Sequence, residues 1–156
     1  SIYLKNFPEL DSNNLFVLSS LFNDEFFETI NELNTDNKST ERNKWIVLGS
    51  RSWVKGLKES EKWCKDNNLD YEVVSGLSHK DLLKKLSTSK GICFKPTGLD
   101  TCPRFVIEAK LLGCELELND NVQHLEEKWF KTDDREEILS YLKGRKDVFW
   151  EMVKQE

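Results

Sequence analysis

Apolar residues fall along this chain in short blocks, and the stretches between the blocks repeat apolar residues at helical spacing. Leu15, Phe16, Val17 and Leu18 make the first block; Phe22, Phe26, Phe27, Ile30 and Leu33 then recur every three to four positions. This predicts a strand followed by an amphipathic helix. Residues 34–43 carry almost nothing apolar and predict a solvated loop. Trp45 to Leu48 is the next strand, and a helix from Leu57 through Cys64 ends near Asn67 and Asn68. Further strands are predicted at Tyr71 to Val74, Ile92 to Phe94 and Glu115 to Leu118. A helix carrying Leu82, Leu83 and Leu86 precedes the second of these, and another from Pro103 to Gly113 precedes the third. A helix from Asp133 through Leu142 and a last one over Lys146 to Lys154, with Phe149, Trp150 and Val153 inward, complete the pattern.

The helix boundaries have local causes. Ser78 stands three residues before Asp81, a capping-box arrangement in which the serine oxygen accepts from an otherwise unpaired first-turn amide. Pro103 suits a first helical position, where its missing N–H costs nothing, and Gly113 suits the far end of the same helix. Strands alternating with helices across short loops specify the α/β class: a Rossmann-like parallel sheet with helices on both faces and right-handed crossovers. In such sheets ligands bind beyond the carboxyl ends of the strands. The polar stretches 50–55, 75–78, 95–104 and 119–121 all fall there.

Composition narrows the function classes. The 156 residues, 38% hydrophobic and 33% charged, suit a single folded domain spanning 1–156 rather than a disordered chain. A formal charge of -5 argues against a phosphate-tracking nucleic-acid surface. Cys64, Cys93, Cys102 and Cys114 lack metal-ligand spacing and read as reduced thiols of a cytoplasmic protein. No apolar run is long enough for a membrane span, which leaves any membrane attachment peripheral or borne elsewhere. Residues 1–14 read as a hinge segment from a further N-terminal domain. The tryptophans Trp45, Trp53, Trp63, Trp129 and Trp150 read as packing groups, and His79 and His124 as non-catalytic.

The candidate chemistry lies in two runs. Gly49, Ser50, Arg51, Ser52, Trp53, Val54, Lys55 and Gly56 place two cations between a strand and a helix N-terminus, where a diphosphate can sit. Two solvated surface cations are the plainer reading. Asp100 and Glu108 lie eight positions apart across a strand-to-helix junction, an arrangement suited to a ligand rich in hydroxyls. Arg104, four residues before Glu108, would explain that glutamate as a helix-surface ion pair. The apolar neighbours Phe105, Val106, Ile107, Ala109, Leu111 and Leu112 instead bury it, and a buried carboxylate needs a partner.

Pro96, Asp100, Glu108, Ala109, Gly113 and Cys114, together with Gly49, Arg51, Lys55 and Gly56, resemble the C-terminal, donor-binding domain of retaining glycosyltransferases of the GT-B fold that carry a Glu-x7-Glu motif. The resemblance covers about residues 45–121. It implies one half of a GT-B fold and a nucleotide-diphosphate sugar as co-substrate, with no metal or other cofactor. It also implies an acceptor held by an N-terminal domain. Arg51 and Lys55 would bind the diphosphate and support its departure, Asp100 would contact sugar hydroxyls, and Glu108 would take the ribose. Thr101, Cys102 and Arg104 would line the same site, and the base would lie near Ser75 to Leu77 and Pro96. Two positions depart from the family: the first acid is Asp rather than Glu, and Thr101, Cys102 and Pro103 replace Gly-Phe-Gly. The alternative is a non-catalytic nucleotide-binding or interaction module of the same fold.

Overall fold

A computed structural model describes residues 2–10, 16, 18–36 and 41–154, and within it each strand expected from Trp45 onward is present. In chain order the elements are α1 (Ile2–Asn6), α2 (Asp24–Asp36), β1 (Trp45–Leu48), α3 (Leu57–Asp66), β2 (Tyr71–Val74), α4 (His79–Ser87), β3 (Gly91–Phe94), α5 (Arg104–Leu111), β4 (Glu115–Leu118), α6 (Lys128–Lys131) and α7 (Arg135–Val153). Short 3-10 turns occupy Trp53–Lys55 and Gln123–Glu126. Two compact units separate, residues 24–122 and residues 1–23 with 123–156.

The first unit is a four-stranded, all-parallel sheet in the order β2-β1-β3-β4, flanked by helices. Its register puts Trp45 beside both Tyr71 and Gly91, and Phe94 beside Leu118. Side chains alternate across a strand, so β1 and β3 each supply both faces. Trp45, Val47 and Cys93 pack with Cys64 of α3, backed by Leu57 and Trp63. Phe94 meets Phe105 of α5 edge-on, ring centroids 5.9 Å apart. Ile46, Val47, Ile92 and Cys93 are fully buried, as strands covered on both faces must be. Burial also pushes the Cys93 and Cys114 thiols up to about 12, which keeps them protonated packing groups.

Chain order reverses direction at β1, because β2 lies on one side of it and β3 on the other. With crossovers of one hand, that reversal sends the helices to opposite faces. Accordingly α3 packs on β1 and β3, whereas α5 packs on β3 and β4 and contacts α4, which also meets α2. The helix ends obey local rules. Ser78 caps α4 by accepting from the Asp81 amide at 3.1 Å. At the end of α5, Gly113 takes φ +73 while its amide and that of Cys114 bond back to Lys110 and Ala109.

Several sequence expectations shift. Leu15 and Val17 of the expected first strand lie outside the described residues, and Phe16 and Leu18 belong to no strand. Helix α2 runs to Asp36, into the stretch expected as loop, because Asn34 binds back to the Ile30 carbonyl and across to that of Leu111, both at 3.0 Å. Residues 37–40 of that loop, like 11–14 of the hinge segment, lie outside the described residues. Residues 2–6 of the hinge segment are helical. Pro103 is the N-cap of α5 rather than its first residue.

In the second unit the two expected terminal helices are one. Asp134, not Asp133, caps α7 by accepting from the Glu136 and Glu137 amides, and the helix continues through Gly144. A glycine there costs only about 1 kcal/mol relative to alanine, too little to stop nineteen residues of helix. Trp150 and Val153, expected inward, are half exposed. The polar centre of this unit is Glu127. One carboxylate oxygen is 2.8 Å from His124 Nδ1, and the other accepts from Ser19 Oγ and Trp129 Nε1. His124, read from the sequence as non-catalytic, is fully buried, its ring centroid 5.6 Å from those of Trp129 and Phe130.

Burial pushes the Glu127 carboxyl up, but hydrogen bonds from His124, Ser19 and Trp129 outweigh it and leave the group below its ordinary value of 4.5. A depressed carboxyl stabilises the fold above its unfolded value and loses that contribution as pH falls through its folded one. Glu127→Gln is therefore expected to flatten the loss of stability on acidification below pH 4.5, relative to the native chain. Urea unfolding midpoints measured from pH 7 down to 3 check this; parallel curves would contradict it.

Candidate functional site

Four loops meet at the carboxyl ends of the strands, and three of them are bonded to one another. The loop after β1 bends through the 3-10 turn Trp53–Lys55 into Gly56, which takes φ +64. A Cβ on Gly56 would stand 1.8 Å from the Lys95 carbonyl oxygen, so only glycine lets this turn pass under the loop after β3. Thr97 fixes the crossing, its amide donating to Val54 O at 3.0 Å and its hydroxyl to Trp53 O at 2.9 Å. From the other side, Asn119 and Asn121 after β4 both donate to the Pro96 carbonyl, at 2.9 and 2.8 Å. Lys95 is absorbed into this frame: its ammonium bonds Leu118 O and Glu117 and lies over the Trp63 ring.

The crossing brings Lys55 to Asp100. Their charged groups are 2.6 Å apart, with Asp100 almost buried and Lys55 about a third exposed. Asp100 is also held by its backbone, whose amide donates to Asn121 O at 2.8 Å. Thus the acid after β3 and the cation after β1 meet directly above the point where strand order reverses. Thr101 and Cys102 lie half-buried in the bend that follows.

Arg51, in the same loop as Lys55, is exposed and carries no ion pair among the described residues. It lines a cavity of about 360 Å³ with Ser50, Ser52, Trp53 and Thr97 and with Leu57, Lys58 and Glu59 of the first turn of α3. That volume lies in the range of small-ligand pockets. Trp53, expected as a packing group, is 75% exposed there. Its exposure had no signature in the sequence, since the residues around it are those of any strand-to-helix loop.

Glu108 occupies the second turn of α5 and is 3% exposed. The burial expected from its apolar neighbours is present, and so is the partner such burial demands. His79 Nε2 lies 2.9 Å from Glu108 Oε1, while Arg104 Nε is 3.8 Å from the same oxygen. His79 comes from the start of α4, after β2, so this contact joins the fourth loop of the rim to α5. The rim therefore holds a Lys55–Asp100 pair, a His79–Glu108–Arg104 group and an unpaired Arg51 beside its own cavity. His79 reads in the sequence only as a non-catalytic residue, because no local pattern links it to a glutamate 29 residues away.

Among the described residues no helix is long and apolar enough to cross a membrane, and no group of three or more His, Cys, Asp or Glu is placed to hold a metal ion. Compared with known protein families, curated proteins and solved structures, the chain has no match.

Three substitutions test this frame. Gly56→Ala is expected to cost at least about 1 to 2 kcal/mol from the left-handed backbone alone, and more from the Lys95 contact, measured as a lower urea midpoint. Lys55→Met leaves the Asp100 carboxylate buried without a counter-charge and is expected to cost about 1 to 3 kcal/mol. Adding Asp100→Asn is expected to recover part of that loss, and a double-mutant cycle with no coupling would contradict the pairing.

Proposed function

We propose that residues 24–122 bind the nucleotide-diphosphate sugar donor of a retaining glycosyltransferase, as one half of a GT-B fold. The observation that carries this reading is the Lys55–Asp100 contact, which puts a cation and a carboxylate side by side at the switch point of a parallel sheet, with unpaired Arg51 in the same loop. Such crevices are the general ligand site of open α/β sheets. The motif resemblance supports the same assignment on the same residues.

In this reading Arg51 and Lys55 face the diphosphate. Charge grows on that group as the glycosidic bond to the sugar breaks, so cations fixed beside it act mainly in the transition state. Asp100, released in part from Lys55 as the phosphates arrive, accepts hydroxyls of the sugar. Glu108 accepts from the ribose. Thr101, Cys102 and Arg104 border the sugar and phosphates, and the indole of Trp53 offers an aromatic wall beside Arg51. Transfer itself requires an acceptor, which a companion domain would hold, so the activity of residues 24–122 alone is binding.

A second reading has its own support: Lys55, Asp100 and Glu108 are all partnered within the chain, so a non-catalytic module of the same fold accounts for them without a ligand. Thermal shift with uridine, guanosine and adenosine diphosphates, their monophosphates and their sugar conjugates separates the two. The donor-site reading expects stabilisation by at least one diphosphate, weak or no response to the monophosphate, and about a tenfold loss of affinity in Arg51→Ala. Indifference to every nucleotide would favour the second reading.

A further inference from the structure

We infer that His79 sets the ribose preference of this site, by engaging one oxygen of the Glu108 carboxylate and leaving the other to a ligand hydroxyl. The inference rests on the donor-site reading and adds a positioning residue to it.

Both contacts to the carboxylate fall on one atom. His79 Nε2 and Arg104 Nε approach Glu108 Oε1 at 2.9 and 3.8 Å, and among the described residues no hydrogen bond reaches Oε2. An ionised carboxylate only accepts, so the ring must carry its hydrogen on Nε2 to make this bond. A glutamate has three rotatable side-chain bonds, and a second anchor beyond its helix is what selects one orientation of its head group. Arg104 cannot supply that anchor alone, because it sits one turn away on the same helix, is half exposed and stands beyond hydrogen-bond distance.

The anchor is itself held on two sides. Ser78 caps α4 and so fixes the backbone from which His79 departs. Phe26 of α2 lies nearly parallel to the imidazole, with ring centroids 6.2 Å apart and planes 14° apart. His79 is half exposed while Glu108 is buried, so the ring forms the solvent-side wall of the acid. A buried carboxylate with one oxygen engaged and the other available suits a hydroxyl donor, and the ribose hydroxyls are the part of a nucleotide that offers one.

The test uses the full chain and its affinity for uridine, guanosine and adenosine diphosphates, their 2′,3′-dideoxy counterparts and inorganic pyrophosphate, measured calorimetrically. The native chain is expected to prefer at least one ribonucleotide over its dideoxy form by about tenfold or more, the worth of one hydrogen bond to a charged group. His79→Ala is expected to bring that ratio to within about twofold while pyrophosphate affinity stays unchanged. His79→Gln, whose amide can donate to Oε1, is expected to restore most of the preference. Should His79→Ala fail to fold, His79→Phe keeps a ring against Phe26 without the donor and is expected to behave as the alanine variant. A native ratio retained in the folded variant lacking the donor would overturn the role of His79 alone. A native chain that binds no diphosphate would remove the donor-site reading and this inference with it, whereas one that binds ribo and dideoxy diphosphates equally would remove the ribose contact and this inference but leave diphosphate binding standing.

Discussion

The turn at Gly56 passes so close under the Lys95 carbonyl that no side chain fits between them, and the rest of the rim is organised around that crossing. It sets the loop after β1 against the loop after β3, where Thr97 can bond Trp53 and Val54. It also delivers Lys55 to Asp100. Two asparagines after β4 then close on Pro96 from the other side. A site built this way is preorganised by backbone contacts, and its charged groups need no ligand to be in place.

The same frame explains which charges are structural and which are free. Lys95 looks like a site residue by position, yet it is spent on β4 carbonyl and carboxylate groups and on the Trp63 ring. Lys55 and Asp100 compensate each other, at the cost of removing one acid from water. Arg51 alone of these basic groups points its charge to solvent without a pair among the described residues, beside a cavity that an indole also borders. A ligand bearing a diphosphate would exchange contacts with the first pair and add new ones at Arg51.

Much of this architecture was legible in residue order. Strands β1 and β3 follow from blocks of buried apolar residues, β4 from the alternation of Glu and Leu, the start of α4 from Ser78 and Asp81, and the end of α5 from Gly113. These features depend on neighbours within a few positions, which is the range that periodicity and capping report. Departures from these local rules have two causes, long-range contacts and the small size of a single propensity penalty. Asn34 extends α2 because its amide reaches Leu111, 77 residues away, and α7 runs through Gly144 because a small propensity cost does not break a capped helix. Trp53 and Trp150 look like core residues by type, and only the folded surface shows them exposed.

By itself the sequence determined the α/β class, the polar rim at the strand ends and the burial of Glu108, since each is a consequence of local spacing and of the cost of burying apolar or charged groups. Tertiary structure alone decided the partners: Lys55 for Asp100, 45 residues apart, and His79 for Glu108, 29 apart. The physical reason is that strand order reverses at β1, so residues on successive loops are brought together by the lateral arrangement of the sheet, and no pattern along a single chain records which strand lies beside which.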